Sequence, residues 1–270
     1  MHVALIFATV LQVAASQQPK VAACSFRGAA AERFLKNSQI VAVGDFDSLA
    51  VTKPKKVELT DGHRTCFALF KTIDERASVK RFANGSNELR FSDRYTYEIA
   101  AYELDKLLDL GIVPPTVERR ISREVGSLSL WIEDAITEWE RHRVRNVHPP
   151  DLGQWNHQMF TVRLFQQLIY DTDYRNTNNL LVTPDWKIYK IDSSRAFRTH
   201  KCLRREASLT RFSRSVLDSL RRLSKEQLKE HLRPWLSNDQ VEALWVRRNL
   251  VLELADRRIA EFGEEAALFD

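Results

Sequence analysis

The feature that most constrains the fold is the pattern of residues 168–197, which suggests helix, loop, strand, turn and strand in that order. Residues 180–182 and 186–191 are two short, strand-like runs. The Thr-Pro-Asp triplet between them is typical of a turn. The pattern therefore predicts a short β-hairpin that follows a polar loop.

The polar residues of this stretch concentrate at the open end of the predicted hairpin. Asp173 stands five residues before Asn178, and Asp192 follows Asn178 by 14 residues. The hairpin would bring Asn178 and Asp192 to one rim, with Asp173 on the loop before it. A carboxylate can orient an attacking hydroxyl, while an amide oxygen and a second carboxylate can hold a divalent cation on nucleotide phosphates. The spacing therefore favours phosphoryl transfer.

Two alternatives stand beside this interpretation. Asp and Asn are common in loops. The same residues could therefore form turns in a helix-rich structural domain and have no catalytic role. Asp171 also competes with Asp173 for the role of base, two residues away. We prefer Asp173 because only it gives the five-residue step to Asn178.

A lysine on an apolar strand face is the second notable feature. Residues 55–60 and 65–73 are predicted strands, joined by an Asp-Gly turn. Side chains alternate along a strand, so Phe67, Leu69 and Lys71 share one face. An ammonium group there either reaches water or meets an anion.

A helix is predicted over residues 94–110, with an apolar stripe and Gly111 at its end. Glu98 lies in the first turns of this helix, at the edge of the stripe. It could pair with Lys71, but it could also pair locally with Arg94, four residues earlier.

Net charge and cysteine content limit the partners. The charge is +5 at neutral pH, spread along the chain, which suits a nucleotide or another acidic substrate. We find no DNA- or RNA-binding motif, so no nucleic-acid partner is expected. We expect no membrane span in the mature chain. The three cysteines lack metal-ligand spacing and allow at most one disulfide.

The N-terminus resembles a short secretory signal peptide. Residues 3–15 are apolar, and Ala14-Ala15-Ser16 offers small residues for cleavage. We therefore predict a signal peptide at 1–16 and export to the periplasm or the extracellular space. The alternative is that this segment is a strand or helix of the mature fold, in which case the protein would be cytoplasmic.

These features occur together in a known group of enzymes. Lys71, the run E-x-x-A-Y-E-L-D-x-L-L-x-L-G-x-V-P-P from Glu98 onwards, the Asp173/Asn178 step and Ile-Asp-Ser-Ser-Arg-Ala-Phe at 191–197 follow in order. This set resembles the atypical kinases of the Fam20 and HipA type, and its catalytic loop is similar to that of phosphoinositide kinases. The resemblance covers about residues 39–200.

The resemblance implies an α+β, two-lobed protein-kinase-like fold. A small β-rich N-lobe with one main helix would span residues 17–135, and a larger, mostly helical C-lobe would span residues 136–270. The implied function is metal-dependent transfer of the ATP γ-phosphoryl group to a hydroxyl acceptor. ATP with Mg²⁺ or Mn²⁺ would be the cofactors. The acceptor, whether protein, lipid or small molecule, is not indicated.

The resemblance also assigns roles to individual residues. Asp173 would be the catalytic carboxylate, and Asn178 and Asp192 would be the metal ligands. Lys71 and Glu98 would form the pair that holds the nucleotide phosphates. Three further residues would complete the ATP site: Gly44 in the phosphate loop, and Trp131 and Ile132 in the linker near adenine.

The sequence departs from typical protein kinases in several places. It has no G-x-G-x-x-G motif, no His-Arg before Asp173, and Ser-Ser rather than Phe-Gly after Asp192. These departures leave an alternative function, that of a catalytically inactive nucleotide-binding pseudokinase or scaffold. The presence of Lys71, Asp173, Asn178 and Asp192 favours an active enzyme.

Overall fold

The order of the elements separates a strand-rich first half from a helix-rich second half. A computed structural model describes residues 24, 26–46, 53–82 and 85–270; the predicted signal peptide lies outside these residues. The first half comprises α1 (Gly28–Asn37), β1 (Gln39–Asp45), β2 (Lys55–Thr60), β3 (Thr65–Lys71), β4 (Asp74–Arg81), β5 (Asn87–Arg94), α2 (Tyr95–Leu108), β6 (Thr116–Ile121) and β7 (Glu124–Leu130).

The second half begins after a connection over residues 131–135. It comprises β8 (Ile136–Thr137), a π-helical turn (Glu140–Arg145), α3 (Leu152–Leu168), a 3₁₀ turn (Thr177–Asn179), β9 (Leu180–Val182), β10 (Ile188–Lys190), a second 3₁₀ turn (Glu206–Ser208), β11 (Phe212–Ser213), α4 (Arg214–Arg222), α5 (Lys225–Leu232), α6 (Asn238–Phe262), α7 (Glu264–Ala267) and β12 (Leu268–Phe269). The predicted α+β class, with a β-rich first part and a helical second part, is confirmed.

The first lobe is a five-stranded sheet in the order β1-β2-β3-β7-β6, with every neighbouring pair antiparallel. Helix α1 covers one face of it, where Phe34 and Leu35 belong to one buried cluster with the inward side chains of β2, β3, β6 and β7. A disulfide between Cys24 and Cys66 ties the chain before α1 to β3. The opposite face carries Leu69 and Lys71, as strand alternation predicts.

The contact between β3 and β7 requires a glycine beside Lys71. A Cβ atom at Gly126 would lie 2.2 Å from the main-chain oxygen of Lys71. Any side chain at position 126 would therefore separate the two strands where the lysine leaves the sheet.

Strands β4 and β5 form a separate two-stranded hairpin between β3 and α2. Sequence patterning did not predict this hairpin. It contacts the second lobe: the main-chain N–H of Arg94 donates to the Ser194 carbonyl at 2.9 Å. The hairpin thus connects the start of α2 to the segment that follows Asp192.

Helix α2, which carries Glu98, packs into the core of the second lobe. Its buried residues Ala100, Ala101, Leu104 and Leu108 belong to one hydrophobic cluster with residues of α3 to α6. The cluster around the five-stranded sheet is separate and uses α1 instead. The position of Glu98 is therefore fixed relative to the second lobe.

The second lobe combines this helical core with a three-stranded sheet in the order β10-β9-β8. The predicted hairpin is confirmed, with Leu180 paired to Lys190 and Val182 to Ile188. Capping boxes start α5 at Ser224 and α6 at Ser237. The chain beyond residue 197 is mostly helical, as the predicted C-lobe requires, but β11 and β12 pair as short parallel strands.

None of the helices in the described part of the chain is long and apolar enough to cross a membrane.

Candidate active site

Lys71 is the centre of a charged cluster where the two lobes meet. It ends β3, and its ammonium lies 2.7 Å from Glu98 Oε1 and 2.8 Å from Asp192 Oδ1. Burial opposes the charge of this group, but the carboxylates of Asp192 and Glu98 outweigh the burial and raise the pKa of Lys71. The ammonium therefore lies between two anions that favour its charged form.

Glu98 uses both of its oxygens. While Oε1 accepts from Lys71, Oε2 accepts from the main-chain N–H of Ser193 at 2.9 Å. The buried carboxylate therefore connects three parts of the chain: the end of β3, helix α2 and the residue after Asp192. The local pair between Glu98 and Arg94 does not form, because Arg94 bonds to Asp74 instead.

Asp192 follows β10 in a strained conformation, with φ at +56° in the left-handed region. Its Oδ1 accepts from Lys71 and from the Ser194 hydroxyl at 3.2 Å. Partial removal of water from the Asp192 carboxylate disfavours its charged form. The ammonium of Lys71 more than compensates and lowers the pKa of Asp192 to about 2. Because 40% of the side chain remains exposed, the carboxylate still faces the space between the lobes.

Asp173 lies on the loop before β9 and is held by two amides. Its Oδ2 accepts from the side-chain amides of Asn176 and Asn179, each at 3.1 Å. None of the described residues donates to Oδ1, so this oxygen is available to another molecule. The contact with Asn179 also joins Asp173 to the start of the hairpin.

The two neighbouring asparagines occupy different environments. Asn178 is exposed; its oxygen accepts from the Thr137 hydroxyl at 3.3 Å and its amide donates to Asn176. Asn179 is buried against Asp173, and its main-chain oxygen accepts from the N–H of Ile191 at 2.9 Å. Because the 3₁₀ turn rotates successive side chains by about 120°, Asn179 rather than Asn178 contacts Asp173.

A buried ion pair lies beneath the two loops. Lys190 Nζ is 3.2 Å from Asp171 Oδ2 and also donates to the main-chain oxygens of Ile191 and Asp192. Asp171 Oδ1 accepts from the main-chain N–H of Asp173 at 2.8 Å. Asp171 is therefore enclosed and faces Lys190, which favours Asp173 as the residue open to a substrate. A lysine inside the apolar run at 188–191 was the available sequence signal for this pair.

Asp93, at the end of β5, is a further carboxylate beside the cluster that sequence patterning did not single out. It is buried, and its Oδ1 has no hydrogen-bond partner among the described residues. Burial raises the pKa of Asp93; the charge of Asp192 adds to this effect, and a hydrogen bond with Ser194 opposes it. The surroundings of Asp192 thus contain one more carboxyl group than the sequence pattern indicated.

The predicted nucleotide-site residues are less closely grouped. Gly44 lies in the exposed edge strand β1, opposite Lys56 in β2. Trp131 directly follows β7; its N–H donates to the Phe67 carbonyl at 3.0 Å, and Lys56 lies 4.6 Å above its ring. Ile132 lines a cavity of about 570 Å³ whose lining includes none of Lys71, Glu98 and Asp192.

The residues near Asp192 suit a hard divalent cation. Carboxylate and amide oxygens are the ligands that Mg²⁺ accepts, and it commonly takes only one or two protein groups while substrate phosphates and water supply the rest. In the described part of the chain, no cluster of three or more His, Cys, Asp or Glu side chains is arranged to hold a metal. A site with few protein ligands, of which Asp192 would be one, therefore fits better than an all-protein cage.

Comparison with solved structures identifies the fold. The chain shares its fold with Fam20 of hydra, and the likeness concerns the fold alone. Fam20 of hydra, solved with a sugar, matches with a TM-score of 0.61 and 16% sequence identity, over 88% of this chain and 90% of that one. The proinflammatory kinase CtkA of Helicobacter pylori matches with a TM-score of 0.49 and 13% identity, over 85% and 98% of the two chains. No protein-family model and no curated protein matches the sequence.

Proposed function

We propose that the protein is a kinase that transfers the γ-phosphoryl group of ATP to a hydroxyl acceptor in a metal-dependent reaction. The observation that carries this proposal is the joint contact of Lys71 with Glu98 and Asp192. A lysine from the sheet, a glutamate from the adjoining helix and an aspartate after a hairpin are the charged parts that phosphoryl transfer needs.

Lys71 would bind the nucleotide phosphates, and Glu98 would keep it aimed. Phosphoryl transfer depends on positioning and on the stabilisation of phosphate charge. A lysine that stays charged and is fixed on one side by a buried carboxylate loses little further freedom when it binds a phosphate.

Asp173 would accept or orient the proton of the acceptor hydroxyl. Its Oδ2 is fixed by the amides of Asn176 and Asn179, while Oδ1 is open. Two fixed amides set the direction in which Oδ1 points, which is the requirement for a group that orients a nucleophile.

Asp192 and one asparagine would hold the divalent cation. When bound, a divalent cation neutralises phosphate charge and polarises the phosphoryl group. The hydrogen bond of Asn179 to Asp173 and its link to Ile191 favour Asn179 as the second ligand over the predicted Asn178. Mg²⁺ and Mn²⁺ both suit such oxygen ligands.

The nucleotide base would bind on the open face of the five-stranded sheet. Gly44, Phe67 and Trp131 share the face of Lys71 by strand pairing. The contribution of Trp131 would come from its ring, because its N–H is already used by Phe67. A contribution of Ile132 would have to come from the linker main chain.

We also propose that the protein is exported. The disulfide between Cys24 and Cys66 supports this, because structural disulfides are typical of oxidising compartments. An intact N-terminus on the native protein in a cytosolic fraction, found by mass spectrometry, would exclude export.

The function is tested by thermal unfolding of the full chain with ATP and with each metal, followed by a turnover assay. Ligands that bind the native state raise the midpoint, so ATP with Mg²⁺ or Mn²⁺ should stabilise the protein and Asp192→Ala should abolish this shift. Asp173→Asn should keep the shift but lower turnover by about 10²- to 10⁴-fold.

Two other results would redirect the proposal. A protein that binds ATP but neither hydrolyses nor transfers phosphate would be a pseudokinase. A protein that shows no shift with any divalent metal would leave only the fold, and the charged cluster would be structural.

A further inference from the structure

A second large cavity lies on the side of the hairpin β4–β5 that faces the second lobe. Its volume is about 890 Å³, within the range typical of ligand pockets. Thr172 lines it and directly precedes Asp173; the Thr172 hydroxyl donates to the Arg195 carbonyl at 2.8 Å. The cavity therefore adjoins the catalytic loop as well as the segment after Asp192.

The lining of this cavity is strongly basic. Of the described residues that line it, five carry a guanidinium group and only one carries a carboxylate: Arg76, Arg90, Arg195, Arg198 and Arg204, against Glu88. The whole chain has a net charge of only +5, spread over 270 residues. Such a concentration in a concave surface produces a focused positive potential.

The inner wall contains more positive charge than Glu88 can neutralise. One oxygen of Glu88 pairs with Arg195 and the other pairs with Arg198. Arg198 also donates to the Arg90 carbonyl at 3.1 Å, so it fixes the hairpin. The Arg195 Nε is buried and has no hydrogen-bond partner in the described structure, so the single carboxylate of Glu88 does not satisfy every donor of the two arginines.

The rim adds arginines that are free to reach a ligand. Arg90 is exposed, and its side chain makes no hydrogen bond or ion pair with any described residue. Arg204 is exposed and lies over the rings of Tyr170 and Tyr174 at 5.7 and 5.3 Å. Stacking of this kind pre-orients a guanidinium while leaving its N–H groups available.

We propose that this arginine pocket binds the anionic part of the acceptor, a molecule that carries sulfate or phosphate ester groups besides the hydroxyl to be phosphorylated. The inference rests on the proposed function and adds the chemical class of the acceptor. Arginine presents a planar fork that pairs with two oxygens of a sulfate or phosphate at once. An acceptor held here reaches the catalytic loop through Thr172, next to Asp173.

The experiment is calorimetry on the full chain at low ionic strength, without nucleotide. Sucrose octasulfate is the sulfate probe, inositol hexakisphosphate is the phosphate probe, and sucrose is the uncharged control. We expect both anionic probes, or one of them, to bind, and sucrose not to bind. Binding should weaken as salt is raised, because the contacts are ionic.

Two rim variants and one matched control locate the binding. Arg90→Glu and Arg204→Glu each remove one charge-assisted contact and add repulsion. Each should therefore lower the affinity for the anionic probe by about tenfold or more. Arg143→Glu makes the same charge change on an exposed arginine outside the cavity and should leave the affinity unchanged. Circular dichroism confirms that the exposed substitutions leave the fold intact.

The outcomes separate this inference from the proposed function. An equal loss in all three variants would show diffuse surface attraction and overturn the pocket, as would the absence of binding by either probe. A difference between the probes decides whether sulfate or phosphate groups are preferred. Failure of the chain to bind ATP with any metal would overturn the proposed function, while probe binding would remain valid as an anion site.

Discussion

Lys190 Nζ lies 3.2 Å from Asp171 Oδ2, and both side chains are almost completely buried. Through Lys190 the pair holds the main-chain oxygens of Ile191 and Asp192, and through Asp171 it holds the N–H of Asp173. One ion pair therefore sets the separation of the two loops that carry the candidate catalytic carboxylates. Neither charged group needs to touch a substrate to have this effect.

We expect removal of either partner of this pair to be strongly destabilising. Asp171→Ala or Lys190→Met leaves a buried charge without compensation, which costs about 3–5 kcal/mol in the free energy of unfolding. The double variant Asp171→Leu with Lys190→Met should lose less than the sum, because no charge is left unpaired. Urea unfolding at neutral pH measures the free energy of unfolding of the two single variants and of the double variant.

The exposed pair of Arg145 with Glu140 serves as the control. Its side chains are 54% and 36% exposed, so Glu140→Ala should cost below about 1 kcal/mol. If Asp171→Ala were as mild as Glu140→Ala, the buried pair would not fix the loops.

The two asparagines before β9 should differ in their effect on metal use. Asn179→Ala removes the group that bonds Asp173 and should weaken metal-dependent ATP binding as well as turnover, by about tenfold or more. Asn178→Ala removes an exposed amide that contacts Thr137 and should have a small effect. Titration of Mn²⁺ at a fixed ATP concentration, with ATP binding and turnover as readouts, distinguishes the two variants. The reverse ranking would restore Asn178, the ligand predicted from the five-residue spacing.

Loss of the lysine should harm nucleotide binding more than loss of its glutamate partner. Lys71→Met removes the cation that would bind phosphate, whereas Glu98→Gln keeps an oxygen that can accept from Lys71. We expect the Kd for ATP with Mn²⁺ to rise by about tenfold or more for Lys71→Met, and by less for Glu98→Gln. Lys55→Met, which breaks an exposed pair with Glu124, is the matched control. A larger effect for Glu98→Gln would show that the pair does not act as proposed.

The predictable part of the molecule was the part governed by local periodicity. Strand alternation placed Lys71 on its face, and the turn at residues 183–185 gave the hairpin, because both depend on neighbours along the chain. The capping boxes at Ser224 and Ser237 are local in the same way, because each joins a serine to a glutamine three residues later.

Features that depend on tertiary packing could not be read from the sequence. The core that buries α2 is formed by α3 to α6, which all lie far later in the chain, so periodicity alone did not show that Glu98 is anchored to the second lobe. The choice between Asn178 and Asn179 depends on a single 3₁₀ turn, which the spacing rule does not resolve. The arginine pocket joins residues far apart in sequence, so it has no local signature.

The disulfide should contribute substantially to stability. Cys24 and Cys66 are 42 residues apart, and closing a loop of this length restricts the unfolded chain by about 4 kcal/mol in the chain-entropy view. The double variant Cys24→Ala with Cys66→Ala should therefore melt well below the wild type, and reductant should have no further effect on it. Cys202 is free and exposed, so Cys202→Ser should leave the melting temperature unchanged. Equal melting of oxidised and reduced wild-type protein would contradict this prediction.

Lys187 should titrate near neutral pH. Burial and the neighbouring charge of Arg27 lower the pKa of Lys187 to about 8 from an ordinary 10.5, although Asp105 and Asp185 oppose the shift. Since the folded state disfavours the ammonium, its stability contribution is unfavourable below pH 8 and improves as the pH rises from about 8 to 10.5.

Amine acetylation at increasing pH, followed by peptide mass spectrometry, measures this titration directly. The labelling of Lys187 in the folded protein should reach its half-maximal rate near pH 8, because only the neutral amine reacts. In urea the midpoint should return towards 10.5. Arg27→Gln removes the neighbouring positive charge, so it should raise the midpoint in the folded protein. An unchanged midpoint in that variant, or a folded-state midpoint equal to the one in urea, would mean that Lys187 is solvated and not held near Arg27.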